Sequence, residues 1–175
     1  MKALSVQQPY AWLMLQRADP HDPHRPLKPI LNRNWPLPKT FKVPQRVLVH
    51  AGMRMYDVSI KTLQDILPAS QWARCRSTLT AMYGTYYLYR RDPALLRLPC
   101  HFGKIIGEIT ITGQVTAETL SLSDEIWFFG PYGFTLFDPV LYERPVPWLG
   151  KLGFFEVDAC GVAINDGFKG VVPVV

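Results

Sequence analysis

Apolar and polar positions alternate in some stretches of the chain and recur every three or four residues in others, and these two rhythms mark strands and helices. "ALSV" suits a short opening strand, and Pro9, whose missing N–H is not needed in a first turn, opens a predicted helix over residues 9–17. "RVLVHAG" alternates with β-branched residues and runs into Gly52, which predicts a strand over residues 46–51 with His50 at its end. Ile60, Leu63 and Leu67 stand at helical spacing until Pro68 stops them. Trp72, Cys75 and Leu79 continue the spacing in a second helix, from about Ser70 to Met82, with a break at Gly84. Beyond residue 100 the period falls to two in "GKIIGEITITGQV" (103–115), "GFTLFDPVLY" (133–142) and "GKLGFFEV" (150–157). Several antiparallel strands with few helices predict an α+β chain built on a small β-barrel.

One stretch follows neither rhythm. In "ADPHDPHRPLKP" the prolines at 20, 23, 26 and 29 stand every third residue, the period of polyproline II, so the segment reads as an extended, exposed loop. His21 and His24 lie in it, but their HxxH has no helix to align the two imidazoles, and a solvated loop outweighs a metal site. Directly after it comes "KPILNRNW", in which strand parity sends Leu31, Arg33 and Trp35 to one face and Asn32 and Asn34 to the other. A cation and a flat aromatic ring sharing one surface can be a guanidinium packed on a core ring or a recognition surface.

Composition narrows the classes. The 175 residues fit one domain with a proper core, 13% of them are aromatic, and no apolar run approaches the roughly 20 residues of a membrane span, so a membrane is not an expected partner. Gln7, Gln8 and Pro9 interrupt any signal-like core, and the three scattered cysteines, Cys75, Cys100 and Cys160, form neither a disulfide framework nor a zinc set, which points to a reducing cytoplasm. Neither a cofactor nor a metal is called for. Charge is unevenly distributed: residues 1–104 carry 16 Lys and Arg against 5 acids, and residues 105–175 carry 3 against 9. Such an asymmetry can give a basic face suited to a polyanion, or be a solvated surface or a mutual attraction of the two parts; nucleic acid becomes the leading partner class. "YYLYRRDP" (residues 86–93) mixes rings and cations that can stack bases and contact phosphates, or equally pack and face solvent.

Taken together, "LSVQQPYAWLML", "KPILNRNW", "RVLVHAG" and "YGFTLFDPVLYERPVPWLGKLGFFEV" resemble the ASCH domain family. The resemblance spans residues 1–157 as one domain, leaves 158–175 as a tail without a role, and implies a PUA-like β-barrel, small and antiparallel or mixed, with flanking α-helices. Lys28 and Arg33 hold the family's lysine-to-arginine spacing and Trp35 completes its "NRxW" form, at the mouth of the cleft the superfamily uses for ligands. Two features depart from the family. The proline-rich loop replaces a tight glycine turn, and Leu31 stands where a polar residue is usual.

The implied function is binding of RNA, single-stranded nucleic acid or a modified nucleoside. Lys28 would supply a mobile charge, Arg33 a planar fork and Trp35 a stacking surface. Ser5, Gln7 and Gln8 would add neutral polar groups, with helix capping the competing role for Ser5 and Gln8, and Tyr10, His50, Phe129 and Tyr132 would line or rim the cleft. A hydrolase of the same ligand class is the alternative, since one branch of the family hydrolyses acetylated cytidine and others are described as ribonucleases. Lys28 would then be catalytic with Glu125 as the acid, Asp124 and Glu108 being other choices, although Leu31 offers no nucleophile where that branch has threonine. A protein-interaction adaptor with a basic face is the third expectation.

Overall fold

The computed structural model describes residues 1–91, 101–121 and 126–158, with the side chains of 88–91 left aside. Its strands are β1 (Lys2–Gln8), β2 (Arg17–Asp19), β3 (Asp22–Pro26), β4 (Ile30–Arg33), β5 (Gln45–Met55), β6 (Lys104–Val115), β7 (Tyr132–Pro147) and β8 (Phe154–Glu156). The helices are α1 (Tyr10–Leu13), α2 (Ile60–Ile66) and α3 (Ala69–Arg91). Six strands form one mixed sheet in the order β4-β7-β6-β5-β1-β8, and β2 pairs with β3 in a separate hairpin. Only β1 and β5 run parallel; the other ladders are antiparallel. The chain is thus α+β and mostly strand. No helix among the described residues is long and apolar enough to cross a membrane.

Both faces of the sheet are covered, as period-two alternation requires when each parity is apolar. Leu4, Val6, Val47, Val49, Ile109 and Phe134 belong to the larger core, which the helices complete with Leu63, Cys75, Leu79 and Met82. The opposite parity of β1 and β5 supplies Ala3 and Leu48 to a smaller core with Tyr142, Val146 and Phe155, and Ile105 joins it where the β6 register shifts between Ile105 and Gly107. The sheet also curls. Its two edges face each other through side chains: Trp35, just past β4, meets Phe154 of β8 edge-on at 5.7 Å, and Phe154 lies parallel to Phe134 at 6.2 Å. Arg33 of β4 donates from Nη2 to the backbone oxygen of Ser5 in β1 at 2.9 Å. The hydrogen-bonded ladder itself stays open, with β4 and β8 as its edges.

Several elements differ from their sequence expectations, among them the strand expected over 133–142, which runs from Tyr132 to Pro147, and that expected over 150–157, which is confined to Phe154–Glu156. The helix expected over 9–17 is the single turn α1, because residues 10–15 are all buried and Arg17 already starts β2. The strand expected to stop at residue 51 runs on to Met55, which leaves His50 inside β5 and buried. Helix α3 passes through Gly84 to Arg91; one exposed glycine costs about 1 kcal/mol relative to alanine, too little to end a long helix.

The proline-rich segment is not a free loop. Residues 17–26 form the β2–β3 hairpin, whose turn is fastened by Asp19 and Asp22 accepting from the amides of His21 and His24 at 2.8 and 3.1 Å. Prolines are tolerated because each paired strand has a free edge where a missing donor leaves nothing unsatisfied. Residues 19–25 are exposed, but the hairpin is moored. His24 stacks on Phe137 at 5.2 Å and bonds Asp138 at 3.1 Å, and Arg46 reaches the same carboxylate from β5 at 2.6 Å. These two partners outweigh the upward push of burial and lower the carboxyl's pKa. Asp138 has φ of 55°, a left-handed conformation that its fastened side chain holds at an irregularity in β7.

Candidate functional site

The chain leaving the hairpin turns inward at Leu27 and Lys28, both buried, before β4 begins at Ile30. Lys28 is therefore swallowed by the fold, at 1% exposure, and is among the largest fully buried side chains. Its Nζ donates to the carbonyl of Ile30 at 2.7 Å. Around it stand the rings of Tyr10, Trp127 and Phe129, with centroids 4.7, 5.0 and 5.2 Å from Nζ. The electron-rich faces of three rings partly replace the lost water, but no carboxylate among the described residues pairs with the amine. Burial, followed by repulsion from Arg33, brings its pKa down from 10.5 to about 7.

Arg33 is the second cation. Besides the Ser5 oxygen it faces the Trp35 ring at 5.8 Å, its Nε is buried without a hydrogen-bond partner, and burial lowers its pKa to about 10. Lys28 and Arg33 share a cleft of about 310 Å³ with Tyr10, Tyr56, Phe129 and the edge of β4 from Leu31 to Asn34. Tyr10 meets Tyr56 at 4.8 Å, and Phe129 stands 6.2 and 6.5 Å from these two rings. Burial, aided by the neighbouring Tyr56, pushes the Tyr10 phenol up to about 12, so it stays protonated and can donate. The deep end of the cleft is cationic and the mouth, where Tyr56 and Phe129 are 39% and 40% exposed, is aromatic.

Asn32 holds one wall in place. Its amide nitrogen donates to the Trp127 carbonyl at 2.8 Å while its amide oxygen accepts from the Phe129 N–H at 2.9 Å, so one side chain fixes the segment that carries two of the rings around Lys28. Gly130, with φ of 125°, lets that segment turn beside Arg33.

Of the residues singled out from the sequence, Lys28, Arg33, Tyr10 and Phe129 line this one cleft. Trp35 does not; it packs edge-on against Phe134 and Phe154, so its ring is committed to the core. Tyr132 sits half-buried opposite Arg33 in the β4–β7 ladder. Gln8 is fully buried and structural: its side chain accepts from the Trp12 amide at 3.0 Å and donates to the His101 carbonyl at 3.1 Å. Gln7 is exposed.

Ser5 and His50 face each other across the β1–β5 ladder, on the parity of the smaller core. His50 Nε2 donates to the Trp148 carbonyl at 3.0 Å and Nδ1 accepts from the Ser5 hydroxyl at 3.1 Å. Burial outweighs the carbonyl bond and lowers the imidazole's pKa, keeping it neutral. A Cβ on Gly150 would lie 2.8 Å from Ser5 Oγ, so backbone packs directly over the pair. Glu125 and Asp124 lie outside the described residues, and Glu108 is engaged by Arg46 Nε at 3.1 Å.

Tyr56, Trp127, Asn32 and Asn34 complete the site without having been singled out. Strand parity had turned Asn32 and Asn34 away from Arg33, but β4 is an edge strand and the cleft runs along its free side, where both parities reach it. Trp127 lies in "WFFGPYGF", whose density of aromatic residues around Gly130 and Gly133 is the one sequence signal for it. Compared with known proteins, the chain matches no family model and no curated relative.

Proposed function

We propose that the curled sheet is a PUA-like barrel of the ASCH type, working in the cytoplasm, and that the cleft binds one unpaired nucleotide of RNA or single-stranded DNA, or a modified nucleoside. The observation that carries this reading is the pairing of a buried and a half-buried cation with exposed aromatic rings in one cleft of about 310 Å³, the small end of the range for ligand pockets. Rings at the mouth stack a base, and cations at the floor take oxygen acceptors. A base pair cannot enter so narrow a space, so single strands are preferred over duplexes. Titrating a labelled single strand and its duplex at several salt concentrations tests the proposal: tighter binding of the single strand, weakening with salt, is the expected result. Equal binding of both, or binding of neither strand nor duplex nor any nucleoside, refutes it.

A second reading, hydrolysis of an acylated nucleoside, is favoured by the Lys28 amine, which with a pKa of about 7 is half neutral at neutral pH and able to act as a base. Leu31 on the cleft wall gives no hydroxyl nucleophile, so bound water would have to attack. Release of acetate from acetylcytidine, lost in Lys28→Met, is the outcome that would establish this activity, and no turnover would dismiss it.

A further inference from the structure

The floor of the cleft carries an electrostatic imbalance that the nucleotide reading alone does not explain. Lys28 is buried and Arg33 half-buried, the two repel each other, and no described carboxylate pairs with either. Among the described residues, Tyr10 from α1, Trp127 and Phe129 from the segment before β7, the Ile30 carbonyl and Arg33 from β4 surround the amine. Tyr56, at the end of β5, lies one ring further out against Tyr10. Two like charges in a protein interior are expensive unless something compensates them, and a hydrogen-bond donor without an acceptor, Arg33 Nε, adds to the expense.

We infer that the deep end of the cleft is built for a terminal phosphate monoester, so that the site takes a free mononucleotide or a phosphorylated strand end and not the interior of a strand. This rests on the nucleotide reading of the same cleft. A monoester brings two negative charges to the two cations and has one ester arm, which can leave past the exposed rings of Tyr56 and Phe129. An internal diester brings one charge and leaves the pair of cations half-compensated. The Arg33 fork and the Lys28 ammonium offer donors suited to phosphate oxygens.

A consequence distinguishes this from ordinary charge attraction. The anion stabilises the protonated amine, so binding at pH 8 draws a proton onto Lys28, whose free form there is largely neutral. At that pH a phosphate monoester is already dianionic and has little proton to give or take.

The test compares three forms of one short single strand, 5′-phosphorylated, 3′-phosphorylated and hydroxyl-ended, together with a nucleoside and its monophosphates, by calorimetry at pH 8 in two buffers of different ionisation enthalpy. At least tenfold tighter binding of one phosphorylated end, with uptake of roughly 0.9 proton per site, is expected. A monophosphate matching the phosphorylated strand identifies a free nucleotide as sufficient, and tighter binding of the strand identifies the chain end as the ligand. Lys28→Met, checked for folding by its melting transition, should lose both the discrimination and the proton uptake, and Arg33→Lys the discrimination in part. Equal binding of phosphorylated and hydroxyl ends overturns the inference while leaving the nucleotide reading intact. Binding of no nucleoside, nucleotide or strand overturns both.

Discussion

Replacing Lys28 by methionine, which keeps the length of the side chain and removes its amine, should stabilise the free protein at neutral pH. Folded chains release the Lys28 proton near pH 7, whereas unfolded chains hold it to about 10.5. Between those values the unfolded state binds more protons, so this lysine makes stability rise with pH. The shift spans about 3.5 units, and at pH 7, where half of the folded molecules are still protonated, it opposes folding by about 4 kcal/mol. By pH 9.5 the same term has fallen to about 1 kcal/mol. Methionine loses the bond to the Ile30 carbonyl and part of the cation–ring attraction, together about 1 to 2 kcal/mol. The variant should thus be more stable by about 2 to 3 kcal/mol at pH 7 and close to the parent at pH 9.5. Urea denaturation at half-unit steps from pH 6.5 to 9.5 measures the difference, and staying below pH 10 keeps tyrosines, including Tyr10 at about 12, out of the titration. Parallel stability curves, or a variant weaker than the parent at pH 7, would refute the buried uncompensated amine.

Gly84→Ala should raise stability by about 0.5 to 1 kcal/mol, read from the urea midpoint, because an added Cβ meets nothing within 4 Å in the middle of α3. Trp35→Ala should cost about 3 to 5 kcal/mol by opening the contact between the sheet edges, while Trp35→Phe should keep oligonucleotide affinity within twofold, since the ring is a packing group outside the cleft. Asn32→Ala should lower stability by about 1 to 3 kcal/mol and weaken ligand binding by calorimetry, as the Trp127 carbonyl and Phe129 amide lose their shared partner. Below pH 6.5 the parent should lose stability faster than His50→Gln, because unfolded chains charge this imidazole before folded ones do; equal acid slopes in urea titrations would count against that.

The strands β6 and β7 were legible because each is long and alternating, and β6 falls within one residue of its expected start, whereas the strand expected over 150–157 is confined to Phe154–Glu156. Local signals failed where tertiary packing decides. Six buried residues in a row, Tyr10 to Leu15, carry no helical stripe, so nothing local told one turn from three. The prolines at 20, 23 and 26 suggested a free extended segment, yet the turns made by Asp19 and Asp22 and the anchorage of His24 on Phe137 and Asp138 fold it back as a hairpin. That anchorage spans more than a hundred residues of sequence and leaves no local trace. The site shows the same division: Lys28, Arg33, Tyr10 and Phe129 are chemically conspicuous, whereas Tyr56 and Trp127 belong to the cleft only because β5 and the approach to β7 meet there.

The hairpin and the cleft are parts of one construction. Here the ten residues of the hairpin lie along β7, moored by the His24–Asp138–Arg46 contacts, and hand the chain over with Pro26, Leu27 and Lys28 buried in succession. The backbone bond from Leu27 N–H to Gln16 O, at 2.7 Å, closes the base of the hairpin immediately before the lysine. Lys28 has consequently little freedom to swing out to water, and the energy of its burial becomes available to any anion that relieves it. An arginine at position 28 could not serve in this way, because it stays charged at every relevant pH and would be too wide for a cage whose three ring centroids lie within 5.2 Å of Nζ. Lysine is a cation that burial can hold half-discharged at neutral pH, as Lys28 is here.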